Sequence, residues 1–364
     1  MEYRILPHGG EKISVIGMGS SVIGERPEKE IMATVQSAVE NGINYFDMAG
    51  GHATIFDAYG KALEGKRDQV YLQVHFGADY TTGEYGWTTS LKKIQNSVQW
   101  QLEKLRTNYI DFGFIHCMDE EKDLNTYIKN GVLNYILDLK KKGIVHHIGL
   151  SSHTPSVAHK VLDMGIVDVL MFSINPVYDY GQGDYAIGSS NERYELYRRC
   201  EKEGVGIVVM KPFCGGQLLD AEKSPFGVAL GKHQCIQYAL DKPGVLTVVP
   251  GYGSEAELME VLDYFHVPDE QKDYSVIAGY TPRESEGIYV YCKHCHPCPA
   301  GLDIALINKY YDLAMLGDNL AREHYLTLEK TAGDCIGCGH CDNRCPFHVR
   351  QCERMKMICA AFGK

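Results

Sequence analysis

The sequence predicts an α/β protein: a closed (β/α)8 TIM barrel over residues 1–266, a linker over 267–287 and a small α-helical, cysteine-rich domain over 288–364. Three observations predict it. Short β-branched runs alternate with amphipathic stretches through the first 265 or so residues. Gly17 and Gly19 are not followed by a third glycine at the spacing of an open dinucleotide-binding sheet. Nine of the 13 cysteines lie after residue 290.

The elements follow in order. An opening hairpin is expected over residues 3–8 and 12–17, turning at Gly9 and Gly10, with 13–17 also serving as the first barrel strand. Strands then read as 43–48, 70–76, 109–115, 145–150, 167–173, 205–210 and 245–249, each rich in residues that suit a buried pleated surface. Amphipathic helices fit 30–40, 90–105, 124–141, 192–203 and 255–265. Strand-then-helix alternation implies parallel strands with right-handed crossovers, and eight units of this size favour closure into a barrel. Past Phe265 the alternation stops and Pro268 and Pro282 mark a connection. Beyond it, 303–316 and 349–362 read as helices.

The net charge of −11 disfavours nucleic acid and favours a small molecule or a basic electron-carrier surface as partner. No apolar run approaches bilayer-spanning length, so no membrane partner is expected. The opening MEYRILPHGG lacks the apolar core of a signal peptide. A reducing cytoplasm is therefore the expected location, where cysteines hold metal rather than pair as disulfides.

Cys335, Cys338, Cys341 and Cys345 follow C-x2-C-x2-C-x3-C into Pro346, and Cys292, Cys295 and Cys298 precede Pro299. That is the spacing of a ferredoxin-like domain with two [4Fe–4S] clusters, each set lending its last cysteine to the other cluster. Zinc knuckles also use C-x2-C pairs, but triple x2 spacing ending in Cys-Pro suits a compact cubane better. Seven motif cysteines face eight positions, so one cluster lacks a thiolate. Of the others, Cys117, Cys200, Cys235 and Cys359 read as small core residues. Cys214, near the barrel mouth, and Cys352, near a cluster, are set apart.

Chemistry in such barrels sits where strands end. Those ends deliver Asp47, with His52 in its loop, then His75, His116, Ser151, Ser152, His153, Asn175 and Lys211. One histidine at a strand end is an ordinary structural feature. Three beside a carboxylate make a candidate site. Two chemistries are open to Asp47, His52, His75 and His116: proton exchange near neutral pH, or binding of a transition metal by ring nitrogens at about 2.0–2.2 Å.

The stretches INYFDMA at 43–49, YIDFGFIH at 109–116, HIGLSSH at 147–153 and VVPGYGS at 248–254 resemble the aldo-keto reductase barrel. The tail resembles the branch of that family with a C-terminal ferredoxin-like domain. The resemblance implies NADP(H) bound without a Rossmann fold, and a carbonyl reduced with the help of tyrosine as acid, lysine to lower its pKa, aspartate to hold the lysine and histidine to orient the carbonyl. Asp47 and His116 match that set. His52 stands where the motif DTAxxYG has its tyrosine, and His75 where the family lysine ends strand three. Phenol and ammonium are both missing there, which puts ordinary ketone reduction in doubt, because a tyrosine of pKa near 10 needs the cation at neutral pH.

The resemblance also assigns the adenine-side phosphates to Gly251, Gly253 and Ser254 at a helix start, although residues 251–260 contain no arginine or lysine. Met171 stands where many relatives place a glutamine, with Asn175 beyond it. Ser151, Ser152 and Lys211 complete the cofactor-side candidates. In the tail, the family arrangement joins Cys298 to Cys335, Cys338 and Cys341, leaving Cys292, Cys295 and Cys345. The alternative completes Cys292, Cys295, Cys298 and Cys345. The usual extra cysteine falls on Tyr289, and Tyr289, His294 or Cys352 are the candidates to fill the gap.

The expectation is an iron–sulfur oxidoreductase of an oxygen-poor metabolism. Clusters, fed by a ferredoxin or flavodoxin, would reduce a small molecule at the mouth while Asp47, His52, His75 and His116 handle protons. The alternatives are an NADP(H)-dependent carbonyl reductase with accessory clusters, a His3Asp metal-dependent lyase or hydrolase, and a non-enzymatic electron carrier.

Overall fold

The computed structural model describes residues 1–181, 186–279, 295, 297–315, 319–345 and 349–364. A short antiparallel hairpin, β1 (Tyr3–Ile5) with β2 (Lys12–Ser14), precedes eight parallel strands. These are β3 (Met18–Gly19), β4 (Tyr45–Asp47), β5 (Tyr71–Phe76), β8 (Ile110–Ile115), β9 (Val145–Ser151), β10 (Val169–Ser173), β11 (Gly206–Met210) and β12 (Val245–Val248). A second hairpin, β6 (Ala78–Asp79) with β7 (Gly86–Trp87), rises from the end of β5.

The sheet closes on itself. Ile16 bridges Val248 and Gly19 bridges Gly251, both in parallel, and the Gly17 N–H donates to the Val248 carbonyl at 2.8 Å. Gly17 is glycine because a Cβ there would stand 2.8 Å from the Tyr45 carbonyl oxygen. Inside the barrel pack Tyr45, Phe112, Phe114, Val169, Met171, Val208 and Val249, with Leu6 and Ile13 of the opening hairpin filling the floor. Helices wrap the outside, and their apolar faces form a second, larger cluster with the strands. Leu302, Ile304, Ile307, Tyr325 and Ile358 of the tail belong to that same cluster.

Several boundaries differ from expectation for local reasons. The first barrel strand is Met18–Gly19 rather than 13–17, because residues 12–14 pair with β1 at the floor. The stretch 124–141 is two helices, Glu121–Lys129 and Val132–Lys141, since Gly131 takes φ 79° between them. The last barrel helix ends at Leu262 and finishes in a 3₁₀ turn, Asp263–Phe265.

In the tail, helices Ile304–Met315 and Gln351–Phe362 stand near their expected places, and Asn319–Leu326 and the short His340–Arg344 are additional. The expected linker contains 3₁₀ turns Asp269–Gln271 and Ser275–Gly279 before it leaves the described residues. Cys292, Tyr289 and His294 also lie outside them. Among the described residues no helix is long and apolar enough to cross a membrane.

Candidate functional site

Three adjacent strands end in three of the expected residues, and the structure joins them in one line. The His75 Nε2 lies 2.7 Å from Asp47 Oδ1, the His75 Nδ1 lies 2.8 Å from His116 Nδ1, and the His116 Nε2 lies 2.9 Å from the Tyr85 hydroxyl. Asp47, His75 and His116 are all buried, His75 to 1% exposure. The Gln73 amide donates to the same Asp47 oxygen at 3.0 Å and is fixed in turn by the Tyr45 hydroxyl at 2.6 Å.

With the Asp47 carboxylate accepting, the contacts fit one order of protons, in which His75 carries its proton on Nε2, also 3.0 Å from the Gln73 amide nitrogen, and presents a lone pair at Nδ1. His116 must then donate from Nδ1, which leaves its Nε2 to accept from Tyr85. Burial, reinforced by His75 and His324, holds the His116 imidazole well below its ordinary range, so it is neutral. Asp119 opposes that shift without reversing it.

Tyr85 was absent from the sequence-based set. It reaches the line because the β6–β7 hairpin docks on the loop after β4: the Tyr85 N–H donates to the Gly51 carbonyl at 3.1 Å, and the Ala53 N–H to the Gly83 carbonyl at 3.1 Å. His52 itself forms an antiparallel bridge with Glu84. The loop that lacks the family tyrosine thus holds the hairpin that brings another one. His52 therefore supports Tyr85 through the backbone and takes no part in the side-chain line.

The arrangement is wrong for a His3Asp metal centre. Both ring nitrogens of His75 are turned to neighbouring side chains, one to Asp47 and one to His116, instead of converging on a shared point.

The cofactor-side candidates are largely committed to the fold. The Ser152 hydroxyl donates to the Met118 carbonyl at 2.6 Å, and Ser151 ends β9 with its carbonyl accepting from the Met118 N–H at 3.0 Å. Asn175 caps the short helix Pro176–Asp179, accepting from the Tyr178 N–H at 3.0 Å and donating to the Lys211 carbonyl at 2.9 Å. Lys211 takes φ 57° just past β11. Ser254 accepts from the Glu257 N–H at 3.2 Å, and the Glu257 carboxylate accepts from the Gly253 N–H at 2.8 Å. Gly251 packs against β3 through its bridge to Gly19.

That last pair tests the fit of a nicotinamide dinucleotide. A carboxylate from the helix's own first turn sits on the Gly253 donor that a phosphate would use, with Glu255 beside it. Like charge and an occupied donor do not suit a phosphate.

Sequence reasoning also missed Asp119. It lies between the ends of β8 and β9, accepts from the His153 backbone N–H at 2.6 Å, faces His153 Nδ1 at 3.0 Å and pairs with Lys309 Nζ at 3.3 Å. Lys309 comes from the tail helix Ile304–Met315. Cys117, expected as a plain core residue, approaches Asp119 Oδ2 at 3.7 Å with φ 50°. Nearby, the tail's His324 ring stands edge-on to Trp87 at 4.5 Å between centroids, and the Trp87 indole N–H donates to the His116 carbonyl at 3.5 Å. The tail therefore covers part of the mouth.

Within the tail, Cys298, Cys335, Cys338 and Cys341 line one small cavity together with Cys352. Cys345 is not among the residues that line this cavity, and Cys292 lies outside the described residues. Cys352 stands beside Cys341, their sulfurs and an Asp342 oxygen lying within 4.8 Å of one another. Cys200 and Cys235 are buried, and burial pushes each thiol up to about 12. Cys214 is also buried, directed to Gln217 at 3.4 Å.

Against known proteins, the chain is 28% identical over 235 residues to an L-galactose dehydrogenase of Arabidopsis thaliana, covering 60% of this chain and 68% of that one. Among solved structures it resembles the holo form of an aldo-keto reductase from Bacillus halodurans, with TM-score 0.61, 21% identity and coverage of 77% and 96%. It also resembles an aldo/keto reductase from Klebsiella pneumoniae solved with NADP and acetate, with TM-score 0.56, 16% identity and coverage of 78% and 97%. The model of the aldo/keto reductase family matches residues 15–234, more than half of the chain, and with the closed eight-stranded barrel this shows that the protein belongs to that family.

Proposed function

We propose that this oxidoreductase interconverts a small carbonyl compound and its alcohol at the barrel mouth, with Tyr85 as the group that exchanges a proton with substrate oxygen. The unbroken line from Tyr85 through His116 and His75 to Asp47 carries the reading. With Asp47 ionised, every proton in the line points toward it. A substrate hydroxyl can give its proton to the phenol oxygen while the phenol proton passes to His116, the His116 proton to His75, and the His75 proton to Asp47. Run backwards, the line delivers a proton to a nascent alkoxide. Each imidazole releases one proton as it gains another, so no cation has to form in the buried interior. The line replaces the lysine-assisted acid of the family with a neutral relay.

For the electrons, Cys298, Cys335, Cys338 and Cys341 suit one [4Fe–4S] cluster by spacing and by their shared cavity. Cys292, Cys295 and Cys345 would give a second cluster three thiolates. Such clusters supply electrons singly, with a ferredoxin or flavodoxin as the external donor. The second reading, an NADP(H)-dependent carbonyl reductase, is favoured by the relatives, one of which was solved with NADP. Glu257 on the Gly253 N–H argues against it here.

Anaerobic preparation, iron and sulfide counts, EPR of the dithionite-reduced protein and a fluorescence titration with NADPH separate the two. The proposal expects acid-labile sulfide, a reduced-cluster signal altered by Cys298→Ser, and no saturable NADPH binding. Protein without sulfide that binds NADPH tightly would overturn the cluster reading in favour of the second.

A further inference from the structure

The cysteine cavity of the tail holds one thiol more than a cubane needs. Cys298, Cys335, Cys338 and Cys341 suffice for the four thiolates of a [4Fe–4S] site, and Cys352 lines the same cavity as a fifth. It comes from the helix Gln351–Phe362, whereas Cys341 lies in the short helix His340–Arg344. The two side chains are in hydrogen-bonding contact, and their sulfurs lie within 4.8 Å of one another.

Asp342 fixes that approach. Its Oδ1 accepts from the Cys352 backbone N–H at 3.0 Å and lies 3.7 Å from the Cys341 sulfur. The carboxylate of one helix thereby caps the first turn of the other, to which the N-cap residue Arg350 gives no side-chain bond. Packing accounts for isolated buried thiols such as Cys200 and Cys235. Cys352 differs from them in touching a sulfur that stands at a ligand position.

We propose that Cys352 is a standby ligand of this site, able to take over from Cys341 the iron that Cys341 holds. The proposal rests on the cluster reading above. Two sulfurs on one tetrahedral metal, each at about 2.3 Å, stand about 3.8 Å apart, so a pair within 4.8 Å can reach one ion in turn with little movement. The exchange balances. The iron–sulfur bond of Cys341 breaks, that of Cys352 forms, and the Cys352 proton passes to the Cys341 sulfur across their contact. No electron is gained or lost. Such a thiol keeps the iron in place when Cys341 is lost to oxidation.

The test counts iron and acid-labile sulfide in anaerobically prepared wild type, Cys341→Ala, Cys352→Ala and the double variant, with EPR of each after dithionite reduction. Cys352→Ala should hold the wild-type count, because Cys341 is the resident ligand. Cys341→Ala should hold it too, with a reduced-cluster signal changed in shape. The double variant should lose between about one iron and a whole cluster of about four per chain. Iodoacetamide labelling read by peptide mass spectrometry is the second measurement: Cys352 should be labelled in the wild-type holoprotein and protected in Cys341→Ala. If Cys341→Ala does not fold, Cys341→Ser keeps the side-chain volume and the same protection is read there. Equal iron loss in Cys341→Ala and the double variant, equal labelling of Cys352 with and without Cys341, or iron lost from Cys352→Ala alone would overturn the proposal. Wild type without iron or sulfide would instead end the cluster reading, and this proposal with it.

Discussion

The Tyr85 hydroxyl lies 2.9 Å from His116 Nε2, although Tyr85 belongs to a loop hairpin and His116 to the end of a central barrel strand. The contact gives the mouth a phenol that no residue at the family position supplies. It also makes the phenol dependent on a neutral histidine, since only an unprotonated Nε2 can accept from it.

The first prediction concerns that neutrality. Burial and His75 depress the His116 imidazole well below about 6.5. Its proton is therefore bound more readily in the unfolded chain, so His116 removes stability as pH falls through the unfolded value. An NMR titration should find His116 neutral at pH 6, and His116→Asn should lessen the loss of stability between pH 7 and pH 5. A His116 that titrates near its free value would refute this.

The opposite sign is expected at the barrel floor. His147 lies 2.9 Å from Glu11 and 3.2 Å from Asp168. Burial lowers its imidazole, but both carboxylates outweigh that and leave it raised. Its contribution is present below the unfolded value and fades as pH rises through the folded one. The Tm gap between wild type and His147→Gln should therefore be larger at pH 6 than at pH 8. A gap equal at both would show that His147 acts through packing alone.

The sequence made the barrel legible because its strands carry continuous β-branched or aromatic runs and their ends fall in register. Asp47, His75 and His116 followed directly, each being the polar residue at the end of a predicted strand. Tyr85 did not, because β6 and β7 are two residues each and show no periodicity. His52, at the position of the family tyrosine, pairs through its backbone with Glu84 of the hairpin that carries Tyr85. Asp119 and Lys309 were invisible for a different reason: their contact joins the barrel to the tail, and no local pattern reports it.

A buried ion pair elsewhere should be costly to break. Arg193, fully buried, donates from Nε to Asp179 at 2.9 Å, and the Tyr197 and Tyr238 hydroxyls donate to the same carboxylate. Arg193→Met leaves the Asp179 charge buried without its cation and should destabilise the protein by about 3–5 kcal/mol. Urea unfolding measures it, and a loss of under about 1 kcal/mol would show that the tyrosines alone satisfy the carboxylate.

Barrel closure depends on Gly17. Gly17→Ala would press a methyl group against the Tyr45 carbonyl and the Val249 side chain, so a loss of about 1–3 kcal/mol is expected from overpacking. Unfolding at the wild-type midpoint would mean that the seam opens to accept it.

The account's central claim is that Tyr85, and not His52, exchanges the substrate proton. The direct measurement is turnover of an aldehyde panel by wild type, Tyr85→Phe and His52→Ala, with reduced methyl viologen and, separately, NADPH as electron source. Tyr85→Phe should lose at least about 100-fold in kcat, while His52→Ala, which keeps its backbone bridge to Glu84, should stay within about threefold of wild type, well below the effect of removing a general acid. Wild-type rates in Tyr85→Phe, or a larger loss in His52→Ala, would contradict it.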